Sequence, residues 1–376
     1  MNIARVILLA VAWAGATYAT LAFAYYWDPT RMLWKRGVEA DLYRFEAVDP
    51  RLNAIDPRPL IRARDPAQAR TVRDELIRTA WPEGLPIDVR PVRVDVDVGA
   101  ADAAAECQGG RDAKKLFRSL ACAFGRYRDM ANLAAIDRLW LPVGDAYRSA
   151  AALFRPIDGN GRLVVYQHGY AGTYHDHHRH IEALVGHGFA VMAHNLPTYG
   201  ENTIEPEAGD LLGGDMAIAA FVQPVIVGLN YAQSVGYREA EMMGFSAGAW
   251  VTVVVAAVDP RVRRSYPVAG TLPWYLSNDR ERPPPQRHPI FQGRELYLDL
   301  YTLGASGPGR RQMQVFNRFD RCCFNGLRGT LYETAVAEAV DALDRGGSFR
   351  VVIDETHARH KISSFAMAAI LTDLTQ

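Results

Sequence analysis

The stretch Glu239 to Asp259, EAEMMGFSAGAWVTVVVAAVD, decides the fold. A short strand-like run, Ala240 to Met243, meets Gly244-Phe245-Ser246-Ala247-Gly248, and a long apolar run follows at once. That order predicts a strand, a sharp turn and a helix, with a serine at the apex. The backbone of such a turn is strained, and a side chain at either glycine would collide with the neighbouring strand or helix. The turn lifts the Ser246 hydroxyl out of the backbone and over the positive end of the following helix. A pattern this short also arises by chance, so its meaning depends on what flanks it.

Working outward, buried strands and helices alternate. Leu139 to Val143 and Tyr147 to Phe154 read as strands, followed by a turn at Asp158-Gly159-Asn160-Gly161. Leu163 to Gln167 is a continuous apolar run, as expected of a strand buried on both faces. Ile181, Leu184 and Val185 mark a helix face, and Phe189 to Ala193 is another buried strand. A helix over about 215–235, bent at Pro224, leads into the strand before Ser246. Beyond the serine helix come a strand at Arg264 to Val268, a Pro- and Trp-rich insertion over 270–292 and a helix over about 293–303. Strands at Met313 to Phe316 and Phe349 to Ile353 then alternate with helices at Leu331 to Leu343 and Ser364 to Leu374. This alternation predicts an α/β fold with a mostly parallel, doubly wound sheet.

The chain has 376 residues, enough for one full core plus an extension. Its 42 basic and 42 acidic residues balance, so nothing points to nucleic acid or an acidic polymer as partner. Four cysteines, Cys107, Cys122, Cys322 and Cys323, show no zinc-like spacing; a Cys107–Cys122 bridge is conceivable in an oxidising compartment. Val6 to Trp27 carries no charge and is long enough to span a bilayer. It reads as a transmembrane anchor, with a signal peptide cleaved after Ala22-Phe23-Ala24 as the alternative. Arg31, Lys35, Arg36 and Arg44 behind it favour a cytoplasmic catalytic part, but long domains translocate regardless of charge, so the side stays open. Residues 28–138 read as a linker and accessory region. Within them Asp65-Pro66 opens a helix, Ile87 to Val98 alternates like a half-buried strand, and a helix is expected over about 115–136.

With that order in view, residues 139–376 resemble the α/β-hydrolase superfamily, in its serine esterase and lipase-like branch. Val165-Tyr166-Gln167-His168-Gly169-Tyr170-Ala171-Gly172 is similar to the H-G-x-x-G element at the end of a strand. The resemblance implies that the N–H of Tyr170 supplies half of an oxyanion hole and that of Ala247 the other half. Asn195-Leu196-Pro197-Thr198-Tyr199-Gly200 is similar to the family's D-x-P-G-x-G turn, with Asn for Asp and Thr for Gly. Ser246 is then the nucleophile, which needs a base within hydrogen-bond reach. The acid is expected just past the strand Met313 to Phe316, where Asp320 is the only carboxylate; Asp354 and Asp299 are weaker alternatives. The adjacent Cys322-Cys323 reads as buried packing beside the site. The base is expected after the last strand, where His360 is preferred and His357 is the alternative. The order Ser…Asp…His along the chain fits this superfamily.

The run His175, Asp176, His177, His178, His180 invites a metal, since His177 and His180 can share a helix face. It has no partner cluster, so substrate contact or a solvated rim is the better reading. Trp274, Tyr275 and Pro283-Pro284-Pro285 lie where this superfamily often inserts a cap and can line a pocket or simply pack. The whole implies a serine hydrolase of small-molecule or lipid-like carboxylic esters, needing no metal or organic cofactor and reaching the membrane through its N-terminal segment. The alternatives are a peptidase, thioesterase or acyltransferase on the same fold, or a non-catalytic membrane-tethered binding protein.

Overall fold

The computed structural model describes residues 3–26, 48–98, 127, 129–144, 147–170, 172–204, 214, 216–278, 281–292, 295–343 and 346–376. Cys107 and Cys122 lie outside the described residues, as does the larger part of the helix expected over 115–136. Helix α1 spans Ile3–Tyr26. The expected membrane span is corrected here: among the described residues, no helix is long and apolar enough to cross a membrane. Side chains are described for residues 9–24 of α1. The stretch Ala14-Gly15-Ala16-Thr17-Tyr18-Ala19-Thr20 within it is built of small and hydroxyl-bearing residues. The membrane-associated location and membrane partner expected from the sequence are therefore withdrawn.

Among the described residues, ten strands form one sheet: β1 (Arg93–Val98), β2 (Leu133–Val143), β3 (Tyr147–Pro156), β4 (Leu163–Gln167), β5 (Ala190–His194), β6 (Thr203–Ile204), β7 (Ala240–Phe245), β8 (Val262–Val268), β9 (Arg311–Asn317) and β10 (Ser348–Asp354). Their order is β1-β2-β3-β5-β4-β7-β8-β9-β10, with β6 on the side of β3. From β5 to β10 every pairing is parallel, while β1, β2, β3 and β6 are antiparallel. The strand order reverses direction at β4, and a parallel sheet leaves a crevice at the strand ends beside such a point. The expected helix over 115–136 yields at its C-terminal end to β2, which starts at Leu133 because the chain there pairs with Pro156 and Arg155 of β3.

After the single turn α2 (Pro50–Asn53), helices α3 (Pro66–Ala80), α5 (Ala217–Ser234), α6 (Ala247–Val258), α7 (Leu296–Ala305) and α8 (Thr330–Ala342) pack against one another along one face. Side chains of alternate strand residues point to opposite faces. Gln314 accepts from Tyr332 of α8 at 2.5 Å and Gln312 donates to Ser265, so these side chains share the α7–α8 face. Tyr266, next to Ser265, points the other way and donates to Asp373 of α9 (Ser364–Thr375) at 2.7 Å. Tyr166 likewise meets His180 of α4 (His178–Gly186) at 3.2 Å. The two helix layers sandwich the sheet.

Every residue of α6 is buried, which is what an all-apolar helix at the centre of such a sandwich requires. Its Val-rich sequence has modest helix propensity, and burial of each valine, worth about 1.5–3 kcal/mol, overrides it. The core also runs across residue 138. Asp65 caps α3 by accepting from the N–H groups of Ala67 and Gln68 at 2.8 and 2.9 Å, as its Asp-Pro sequence predicts. Ala69, Val72 and Leu76 of α3 are buried, and the helix packs on α5, α6 and α7. Asp299 of α7 accepts from the N–H groups of Arg62 and Ala63 at 2.7 and 2.9 Å and pairs with the Arg62 guanidinium at 2.9 Å. That carboxylate therefore ties down the segment before α3.

Candidate active site

Ser246 sits between β7 and α6 at φ 54°, ψ −120°, a positive-φ conformation that an L-residue rarely adopts. Close approach explains the glycines around it. A Cβ on Gly248 would lie 2.2 Å from the Gln167 carbonyl oxygen, and one on Gly244 would lie 2.2 Å from that of Gly248. A Cβ on Gly169 would stand 2.8 Å from the Ser246 Cβ, so the loop after β4 can pass over the serine only with glycine there. His168 holds that loop from behind. Its Nε2 accepts from Leu196 N–H at 3.0 Å and its Nδ1 lies 2.6 Å from the Gly169 carbonyl oxygen. It is fully buried, and burial pushes its pKa down to about 3, so it stays neutral and serves as a brace.

Asp320 follows the end of β9, and His360 lies in the loop before α9. Asp320 Oδ2 lies 2.6 Å from His360 Nδ1, and the carboxylate is fully buried while the imidazole keeps partial exposure. Asp320 Oδ1 accepts from Cys322 N–H at 2.8 Å, and Asn317 Nδ2 reaches Oδ2 at 3.5 Å and the Lys361 carbonyl at 2.9 Å. The imidazole packs against Phe245, the residue preceding the serine, with ring centroids 4.5 Å apart. Elbow, histidine and aspartate thus share one corner at the C-terminal ends of β7 and β9.

The alternative residues go elsewhere. His357 is buried with Nε2 3.2 Å from Asp354 Oδ2, and its Nδ1 accepts from Arg359 N–H at 3.1 Å. Asp354 also accepts from the Thr356 N–H and hydroxyl at 2.9 and 2.7 Å and from the Ser363 hydroxyl. Burial pushes its carboxyl up, but His357 and these hydrogen bonds outweigh it and hold the group below the usual carboxylate range. Ser363 in turn caps α9, so this second Asp–His pair is a helix anchor.

Tyr170 follows Gly169, and its ring begins a chain of aromatic contacts, Tyr170–Phe221, Phe221–Trp250 and Trp250–Phe291, with centroids 5.8 to 6.4 Å apart. The histidine run meets protein partners: His175 touches Tyr127 at 2.5 Å and Glu201 at 2.8 Å, while burial takes the pKa of His180 down to about 4. Asp176 closes a capping box with Thr173. Trp274 and Tyr275 donate their N–H groups to Glu295, and Arg282 lies over the Trp274 ring at 3.9 Å.

Two residues not singled out in the sequence support the loops of the site. Glu281 of the insertion is buried, pairs with Arg328 at 2.6 Å and accepts from Phe324 N–H. Phe324 itself has φ 53°, so Glu281 pins a strained turn four residues after Asp320. Glu201 joins His175 to Asn195, the residue that replaces the family's aspartate. No local pattern marks either glutamate, because each meets partners more than twenty residues away or across a loop.

No protein-family model matches the sequence, and comparison with curated proteins gives no match. Solved structures do match in shape. Acetyl xylan esterase 1 from Thermoanaerobacterium sp. is 14% identical over 88% of this chain and 98% of its own, with a TM-score of 0.51. An acetyl xylan esterase from Paenibacillus sp. is 14% identical over 88% and 99%, at 0.52. A methylesterase is 13% identical over 89% and 65%, at 0.54. The chain has the fold of the α/β-hydrolase superfamily, as its motifs imply, and these structural neighbours are esterases.

Proposed function

We propose that the protein is a serine hydrolase that cleaves carboxylic esters through an acyl-enzyme. His360 Nε2 takes the Ser246 proton as the oxygen attacks the ester carbonyl. Asp320 holds Nδ1–H, fixing the tautomer and stabilising the imidazolium that forms. The oxyanion is met by the N–H groups of Ala247 and Tyr170, whose position at a helix start and beside Gly169 suits donors aimed at one point. The imidazolium then protonates the departing alcohol, and the same histidine activates water to release the acid. The exposed Tyr170 ring, next to Gly169, suits contact with an apolar part of the substrate.

The observation that carries this reading is the Asp320–His360 pair at 2.6 Å, packed on the residue next to a positive-φ Ser246. A buried carboxylate holding a partly exposed imidazole beside a strained serine is what nucleophilic acyl transfer needs and what a passive binding site does not. The test is labelling with a fluorophosphonate probe. Labelling of the wild type that vanishes in Ser246→Ala supports the proposal. Well-folded wild-type protein that takes no label sinks it.

A further inference from the structure

Two thiol sulfurs and an imidazole nitrogen, donors that zinc takes, meet beside the turn that carries Ser246. Cys322 Sγ, Cys323 Sγ and His360 Nε2 lie within 4.8 Å of one another, and Cys323 Sγ is 3.9 Å from Nε2. Both cysteines are free thiols. Cys323 is buried, as packing beside the site requires, but Cys322 is exposed, so the group is open to solvent on one side and walled on the other. Zinc–sulfur bonds of about 2.3 Å and zinc–nitrogen bonds of about 2.0–2.1 Å place tetrahedral donors roughly 3.6–3.8 Å apart. Binding requires the three atoms, all within 4.8 Å of one another, to close to that spacing.

Proximity alone would be weak, but two further features build the site. Asp320 holds His360 Nδ1 at 2.6 Å, which turns Nε2 toward the thiols in the carboxylate–histidine–metal arrangement. The other oxygen of the same buried carboxylate accepts from Cys322 N–H at 2.8 Å, fixing the loop that carries both thiols. Glu281 holds the N–H of Phe324, just past them. One carboxylate therefore orients donors from two loops separated by nearly forty residues, which is why the sequence shows no zinc-like spacing.

We infer that Cys322, Cys323 and His360 form an inhibitory site for a thiophilic divalent cation of the zinc type. Each thiol gives its proton to solvent as a metal–thiolate bond forms, and His360 contributes the Nε2 lone pair. Two thiolates balance the charge of the ion, water takes the fourth position, and nothing is oxidised or reduced. Hard cations such as magnesium prefer oxygen donors and do not compete. The inhibitory consequence rests on the hydrolase reading, since Nε2 is the atom that takes the Ser246 proton; metal loading and hydrolysis then exclude one another. The binding itself does not rest on it.

The experiment uses the full chain, reduced and stripped of metal. Zinc chloride is added, bound zinc is measured by equilibrium dialysis, and hydrolysis of p-nitrophenyl acetate is followed in parallel. The expected result is about one zinc per chain, activity lowered about tenfold or more and restored by a chelator, and no effect of magnesium. Cys322→Ser, Cys323→Ser and Asp320→Asn each weaken zinc binding about 10–100-fold, whereas the pair Cys107→Ser and Cys122→Ser does not. Cobalt(II) provides a second readout through a thiolate charge-transfer band that is weakened in Cys322→Ser and in Cys323→Ser and lost when both substitutions are combined. Absence of bound zinc, or zinc retained equally without Cys322 and Cys323, overturns the site. Cysteine-dependent zinc on protein that keeps full activity overturns the inhibitory role. Cysteine-dependent zinc on protein that is inactive even when metal-free leaves the site standing and refutes the hydrolase reading instead.

Discussion

Two histidine–aspartate pairs lie around one short loop of this protein, and they sit in opposite surroundings. His360 meets Asp320 through Nδ1, keeps partial exposure and packs on Phe245 beside Ser246. His357 meets Asp354 through Nε2, accepts from Arg359 N–H through Nδ1, and is almost completely buried. The aspartate of the second pair also holds Thr356, just after β10, and Ser363, the cap of α9. Pairing with a carboxylate therefore does not mark a base. Which ring nitrogen the carboxylate holds, and what the other nitrogen can reach, distinguishes the pair proposed to react from the one that anchors α9.

The largest expected effect breaks the reactive side of that contrast. Ser246→Ala is expected to lower ester kcat about 10⁶-fold, the scale seen when a nucleophile is removed from a working triad. Asp320→Asn keeps the shape of the pair but favours the wrong tautomer, so kcat should fall about 10⁴-fold with KM little changed. Gly169→Ala pushes a Cβ against Ser246 and should cost about 10²-fold in kcat through displaced oxyanion donors. Steady-state kinetics on a p-nitrophenyl ester checks all three, and unchanged kcat in any of them contradicts the role given to that residue.

The structural side of the contrast should show in stability. His357→Ala leaves Asp354 without one of its partners and should cost about 1–3 kcal/mol in denaturant unfolding while ester turnover stays within about threefold. Acid sensitivity follows from other buried groups. Burial lowers the pKa of His168 and His194 to about 3, so folding keeps both neutral while the unfolded chain protonates them near the ordinary histidine value of about 6.5. Their contribution is present above about pH 6.5 and is lost as pH falls toward about 3. The unfolding midpoint should drop across that window, and His194→Leu should flatten the slope; a slope unchanged in that variant contradicts the assignment.

Much of the fold was legible because its signals are local. The strand Leu163 to Gln167 appears with the expected limits, and Asp65-Pro66 caps α3 as its sequence predicts. The glycine spacing around Ser246 is equally local, since backbone contact forbids a Cβ at either position. What the sequence hid depends on distance along the chain. The strand β2 overrides the end of an expected helix because β3 supplies a partner. Glu281 reaches the loop after β9 from more than forty residues away. His360 and His357 stand three residues apart in one loop, and only their partners, burial and distance from Phe245 tell them apart. The N-terminal run lacks charge, which suggests a membrane span, but among the described residues no helix is long and apolar enough to cross a membrane.

The most direct test compares the two histidines in one assay. kcat/KM for a p-nitrophenyl ester is measured for His360→Ala and His357→Ala, both shown folded by circular dichroism. The expected result is a loss of about 10⁴-fold or more in the first and a change within about threefold in the second. Full activity in His360→Ala, or the larger loss in His357→Ala, would contradict it.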